Sequence, residues 1–454
     1  MNVAVLVAEI GSTTTVVNAF DGIGGPCPKF LGQGQAFTSV LEGDVTVGLR
    51  GAVEDLRRNL GADEIVWGEM FATSSAAGGL RMSVHGLVYD MTVRAAKEAA
   101  LGAGGILKHV TAGRMRRTDL KKIVDIRPNI ILVAGGVDYG ERETALHNFE
   151  LVADLGLDIP VIYAGNVENQ EEVRDLAAEK GLRLYLVENV YPRVDQLNVE
   201  PTRAVIQQVF EEHIIHAPGM TTVRDMVNGP ILPTPGAVME AAKVLKDAIG
   251  DLVVFDVGGA TTDVHSVTEG SEEIGRLLVS PEPVAKRTVE GDLGVFVNMH
   301  HIVDRIGREE LLRNFPDLDD LLANARAIPD TDRAKTFVEC LTEKAMLTAL
   351  ERHAGSLRQL YSATGKRTIA EGKDLTAVRF VVGTGGALTR LPRHREILAR
   401  AAGYGKGLEL YPKAEARILV DHDYIMASLG VLSRRYPEDA LKLLLKSLRW
   451  EGAE

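Results

Sequence analysis

Apolar residues fall along this chain in two rhythms. Short runs that are apolar on both faces and rich in β-branched residues read as buried strands of a parallel or mixed sheet. LVVF at 252–255 is one, and VAVLVAEIGSTTTVVNAF at 3–20 contains two, broken by glycine and small hydroxylated residues. Helical spacing marks VTVGLRGAVEDLRRNL at 45–60, where Leu49, Ala52, Val53, Leu56 and Leu60 share one face. A long helix is predicted at about 331–354, with Ala334, Phe337, Val338, Leu341 and Ala345 aligned, and a shorter one near 236–249. Between them NIILVAGG, IPVIYAGN and LRLYLVEN alternate with helical stretches at 141–155 and 168–180. That βαβαβ pattern over about 128–215 predicts a small parallel sheet of its own.

The stretch DLVVFDVGGATTDVHSV at 251–267 sets Asp256 and Asp263 around glycine, alanine and threonine. A strand ending in a tight turn accounts for it without any ligand. The alternative is a phosphate site, since bare backbone can approach a phosphate, hydroxyls can donate to it, and carboxylates can hold the accompanying magnesium. The first strand repeats the design. Setting Glu9 against Asp256 lays Gly11 on Gly258, Thr14 on Thr261 and Thr15 on Thr262, a weak internal repeat. Neither copy is a Walker loop or a dinucleotide fingerprint, because each glycine turn leads into a strand and not a helix. Two such turns from two similar lobes suggest a clamp with a ligand in the cleft between them.

Composition narrows the classes. A chain of 454 residues with 45% hydrophobic content has room for two or three domains. Its net charge of −12 argues against a nucleic-acid partner, and the basic run RMRRTDLKK at 114–122 reads as a solvated helix face. No apolar run is long enough to span a membrane and no signal peptide is evident, so the expected location is the cytoplasm. Cys27 and Cys340 stand alone, which leaves no disulfide framework and no zinc or iron–sulfur cage. Self-association stays open. NGPILPTPGAV at 228–238 reads as the crossing between lobes. RFVVGTGGALTRLPRHREIL at 379–398 reads as strand, glycine turn and helix, and DHDYIMASLGVLSRR at 421–435 carries small residues for close helix packing.

In order along the chain, AEIGSTTT, FDVGGATTDV, VVGTGGALT and YIMASLG resemble the first and second phosphate motifs, the adenosine motif and the second connecting helix of the actin, hexokinase and heat-shock chaperone ATPase superfamily. The resemblance implies a two-lobed α/β actin-like ATPase fold with the βαβαβ segment inserted, lobe I over 1–233, lobe II over 234–409, and C-terminal helices over 410–454. EGDVTVGLRGAVEDL, ATSSAAGGLRMSVHGL, AAKEAALGAGG, ILVAGGVDYGERETALHN and KRTVEGDLG resemble the glutamate-mutase-associated GlmL family, also called MutL and unrelated to the mismatch-repair protein of that name. What this implies is an ATPase, slow and partner-stimulated, that reactivates an adenosylcobalamin-dependent glutamate or amino mutase.

Carried over residue by residue, the resemblance implies ATP and Mg2+ as ligands. Asp256 and Glu9 would be catalytic, and Glu9, Asp256 and Asp263 would lie at the metal. Gly11, Ser12, Thr13 and Thr14 from one turn, with Gly258, Gly259, Thr261 and Thr262 from the other, would cradle phosphate. Gly383, Gly385 and Gly386 would face adenosine. The superfamily commonly has aspartate where this chain has Glu9, which displaces the carboxylate by about one bond length. Glu290 reads equally as a nucleotide neighbour or part of a helix-capping loop. A small-molecule kinase and a nucleotide-dependent filament former of the same fold remain alternatives, whereas an iron–sulfur activator would need paired cysteines. The βαβαβ segment is expected to contact the partner.

Overall fold

The computed structural model describes residues 1–39, 43–75, 80–103, 105–214, 218–362, 365–405 and 407–451. Parts of three family-like stretches, residues 42, 76–79 and 104, lie outside them. The chain divides into two compact units, one of Met1–Ala76, Pro218–Val279 and Val284–Glu454, the other of Ala77–Ala217 with Ser280–Pro283.

In the first unit, β1 (Asn2–Ile10) is apolar on both faces because it becomes a central strand, buried from Val5 onward. It pairs antiparallel with β2 (Thr14–Asp21), which pairs antiparallel with β3 (Lys29–Phe37). A helix, Val45–Asn59, starts where Asp44 accepts from the Thr46 amide at 2.8 Å and buries Leu49, Ala52 and Leu56. Strand β4 (Val66–Ser74) then lies parallel to β1.

The chain next builds the second unit. Here β5 (Leu80–Gly86), β6 (Gly105–Ala112), β7 (Ile130–Val133), β8 (Val161–Tyr163) and β9 (Leu184–Leu186) form an all-parallel sheet in the order β6-β5-β7-β8-β9. The segment expected over 128–215 supplies three of these strands, while β5 and β6 precede it. The basic run at 114–122 leads into the helix Arg117–Ile126, with Arg116, Arg117, Lys121 and Lys122 exposed and Ile123 buried.

Back in the first unit, the short strand β10 (Leu232–Pro233) adds to the free side of β4, and the helix Thr234–Ile249 follows. The second half then repeats the first. β11 (Leu252–Val257), β12 (Thr262–Val267) and β13 (Ala285–Glu290) form an antiparallel meander. The long helix Asp332–His353 begins at Thr331, whose hydroxyl accepts from the Ala334 amide, and a hairpin of β14 (Ser356–Ser362) and β15 (Gly365–Glu371) follows it. Strand β16 (Phe380–Thr384) lies parallel to β11, and β17 (Arg417–Val420) parallel to β16. The two sheets thus share one order, β3-β2-β1-β4-β10 and β13-β12-β11-β16-β17. Helix Thr234–Ile249 follows the last strand of one, and helix Met426–Leu432 the last strand of the other. These two helices touch at Gly430, where a side chain would lie 1.8 Å from the Ala237 carbonyl oxygen. A doubled five-strand sheet with a pair of crossing helices is the actin-like ATPase fold. Among the described residues no helix is long and apolar enough to cross a membrane.

Candidate active site

The β1–β2 and β11–β12 turns close alike. The Gly11 amide donates to Thr14 O at 3.0 Å, and the Gly258 amide to Thr261 O at 2.9 Å. The shift that lays Glu9 on Asp256 also lays the rung Glu9–Val16 on Asp256–Asp263 and Ile10–Thr15 on Val257–Thr262. A side chain at Gly11 would fall 2.6 Å from Thr14 O, so the first turn requires glycine.

Both turns are anchored through their carbonyls. Thr38 holds Gly11 O through its hydroxyl at 2.8 Å and Thr13 O through its amide at 3.0 Å. In the second turn, Val295 N donates to Gly258 O at 3.2 Å, Phe296 N and Val297 N to Gly259 O at 2.9 and 2.8 Å, and Asn298 Nδ2 to Ala260 O at 2.9 Å. The amides are left over. Among the described residues no acceptor meets the N–H of Ser12, Thr13, Gly259, Ala260 or Thr261. Successive turn amides without acceptors make an anion-binding concavity. The two turns also approach one another, since a side chain built on Gly259 would come within 3.8 Å of Thr13 Oγ1.

The three expected metal carboxylates are held differently. Asp263 is buried against Arg287, whose Nη2 and Nε reach Oδ1 at 2.7 and 3.2 Å, while the Thr261 hydroxyl donates to Oδ2 at 3.1 Å. Glu9 is buried and its Oε1 accepts from Ser428 N at 3.0 Å, Ser428 Oγ at 2.5 Å and Asn18 Nδ2 at 3.3 Å. Asp256 is half-buried, and no donor reaches it among the described residues. Burial first, then the charges of Asp263 and Glu9, push its carboxyl up to about 7. Glu9 also rises to about 7, chiefly by burial against the pull of Ser428. Among the described residues no three of these side chains converge as a ligand cage, so the arrangement offers one uncommitted carboxylate, Asp256.

Of the three glycines expected at adenosine, Gly385 and Gly386 lie at the β16 turn and Gly383 does not. Gly385 has φ 81°, and a side chain there would strike Asp256 Oδ1 at 2.4 Å, whereas one on Gly386 would meet nothing within 4 Å. Gly383 lies inside β16, and a side chain there would collide with Leu398 at 2.8 Å, so its smallness serves packing. Glu290 is ion-paired with Arg352, which also binds Asp292 at 2.6 and 2.7 Å.

Sequence reasoning missed five residues here: Asn18, Arg287, Asp421, Tyr424 and Ser428. Asp421 is buried and accepts from Thr384 Oγ1 at 3.0 Å, Met426 N at 2.9 Å, Ile425 N at 3.2 Å and Ser447 Oγ at 2.6 Å, fixing the start of helix Met426–Leu432. Tyr424, at φ 53°, has its phenol driven up by burial first and then by the charges of Glu9, Asp256 and Asp421. The signal available for these two was DHDY, immediately ahead of the small-residue helix.

The chain is 36% identical to Protein MutL of Clostridium tetanomorphum, over 98% of this chain and 99% of that one. Among solved structures it is similar to a nucleotide-free diol dehydratase-reactivating factor, at 11% identity and TM-score 0.39, covering 96% of this chain and 100% of that one. It is also similar to a nucleotide-free acetone carboxylase, at 13% identity and TM-score 0.41, covering 95% and 70%. Those superpositions are loose, and the fold assignment rests on the doubled sheet order. The family model for MutL protein matches residues 5–448. From one end of its doubled sheet to the other, the chain belongs to the MutL family.

Proposed function

We propose that this protein binds ATP with Mg2+ and hydrolyses it slowly, as an accessory protein that reactivates an adenosylcobalamin-dependent mutase. The observation that carries the reading is the pair of matching turns, whose unpartnered amides approach one another beside Asp256. The residues fit the group. Amides at 12–13 and 259–261, with the hydroxyls of Ser12, Thr13 and Thr14, would hold a phosphate chain, while the Thr261 hydroxyl is committed to Asp263. Thr262 contributes by anchoring, its hydroxyl donating to Leu293 O at 2.7 Å. Mg2+ keeps several waters and takes one or two carboxylates, which suits Asp256 better than Glu9 or Asp263. Gly386 leaves room for a nucleoside at the β16 turn.

When bound, ATP supplies the phosphoanhydride bond whose cleavage drives the cycle. Asp256 Oδ would orient a water and take up its proton. Arg287 keeps Asp263 neutralised, so that the second turn does not repel phosphate. Membership of the MutL family, with its association to glutamate mutase, supports the partner class.

Mg-ATP at about 100 times its Kd should stabilise the protein by about 2.7 kcal/mol, read as a raised thermal midpoint that Asp256→Ala abolishes. Phosphate release should rise on adding the mutase. An unchanged midpoint at millimolar Mg-ATP sinks the nucleotide reading. Mass spectrometry that finds the phosphoryl group on a small metabolite replaces the ATPase with the kinase.

A further inference from the structure

The residue that departs from the superfamily pattern has the most completely occupied carboxylate oxygen near the turns. Glu9 Oε1 takes the backbone amide and the hydroxyl of Ser428, at 3.0 and 2.5 Å, together with Asn18 Nδ2 at 3.3 Å. Asn18 Nδ2 also donates to Ser428 Oγ at 2.9 Å, so the three residues close a buried triangle between β1, β2 and helix Met426–Leu432. Gln33 on β3 extends it, donating to Asn18 Oδ1 at 3.0 Å and to Asp423 O at 3.1 Å and accepting from Arg390. Ser428 lies in the first turn of its helix, where a backbone N–H has no partner within the helix. Glu9 supplies that partner.

We infer that Glu9 is a strut and not a metal ligand. It ties the strand leading into the first turn to the helix behind the second half, and so positions Ser12 and Thr13 against Gly259 for a shared ligand. Side-chain length is the point of the argument. Removing one methylene draws the carboxylate back by about 1.5 Å, which takes the 3.0 Å contact to Ser428 N beyond hydrogen-bond range. Charge is secondary, because a carboxamide offers the same acceptor oxygen at the same reach. The inference rests on the nucleotide reading above for its link to ligand binding, while the strut itself is a property of the free protein.

Glu9→Gln and Glu9→Asp separate the two roles because they have opposite consequences. For a strut, Glu9→Gln keeps ATP affinity and the Mg2+ concentration for half-maximal binding within about twofold of the parent. Glu9→Asp then speeds hydrogen exchange at the Ser428 amide about tenfold, the loss of one buried hydrogen bond. It also weakens ATP binding while leaving the Mg2+ half-saturation unmoved. Adding Ser428→Ala to Glu9→Asp should cost little more, since both break the same contact. The proposal is overturned if Glu9→Asp exchanges like the parent while Glu9→Gln raises the Mg2+ requirement. Hydrogen exchange is measured without nucleotide. If the parent fails to bind Mg-ATP, the nucleotide reading falls, and the exchange rates of the two variants still decide whether Glu9 is a strut.

Discussion

Two carboxyls that rise to about 7 in the folded protein each contribute to its stability in the direction opposite to the usual acid trend. Below about pH 3 both Glu9 and Asp256 are protonated whether the chain is folded or not, and neither matters. Between about pH 4 and 7 the folded state holds protons that the unfolded chain has lost, so stability falls as pH rises through that window. For Glu9, buried at 6% exposure, the span from 4.5 to about 7 corresponds to about 3 kcal/mol. The buried imidazoles of His85, His265 and His353, held below their ordinary value, act with the opposite sign over the same range, so the carboxyl contribution is read as a difference: relative to the parent, nucleotide-free Glu9→Gln should gain thermal midpoint from pH 4.5 to 7.5. A difference between variant and parent that does not change with pH contradicts the burial of the Glu9 charge. The sequence made Asp256 legible, because a carboxylate at a strand end before glycines has few uses. It did not make Glu9's task legible, since Ser428 is 419 residues away and nothing local points to it. Gly383 is equally local in appearance, and its task is not legible because glycine in a strand looks the same whether it admits a ligand or Leu398.

At the scale of elements, the periodic signals placed the strands and helices that are apolar throughout. LVVF became β11, NIILVAGG gave β7, and the long helix runs Asp332–His353 within the expected 331–354. Strands β5 and β6 were not legible in this way. They carry Ser83, His85 and His109 among their apolar residues, which interrupts the pattern of a buried strand. The expected inserted segment consequently began at 128 and omitted them. Small residues at 427–430 did announce close packing, and the contact of Gly430 with the Ala237 carbonyl gives it a location. Gly430→Ala should cost about 2–3 kcal/mol by forcing the two crossing helices apart, measured by urea unfolding. A loss under about 0.5 kcal/mol would mean that the helices do not meet at this point.

For the molecule as a whole, the second unit's parallel sheet brings its carboxyl strand ends to one edge. The segments after β5, β7, β8 and β9 expose Val88, Tyr89, Tyr139, Val167 and Val194 there, with Tyr139 80% accessible. Exposed apolar side chains gathered along one edge suit a protein partner, and if the function proposed above holds, this edge is the surface we propose for the mutase. Tyr89→Ser with Tyr139→Ser should weaken mutase association at least tenfold and leave the Mg-ATP thermal shift intact. Undiminished association by the folded double variant would move the contact elsewhere. Asn166 is unsuited to such a test, because its buried side chain bonds Tyr139 N, Glu168 N and the carbonyls of Gly140 and Glu141. Within the first unit, repetition also has a consequence. The two turns are copies in backbone, yet the rung that carries Asp263 in one carries Val16 in the other, and the carboxylate matching Asp256 is tied up by Ser428. The carboxylate with no donor on it among the described residues thus sits on one jaw alone. Under the function proposed above, a near-symmetric cradle acquires a direction, and a chain of phosphates held with Mg2+ would have one preferred way round in it.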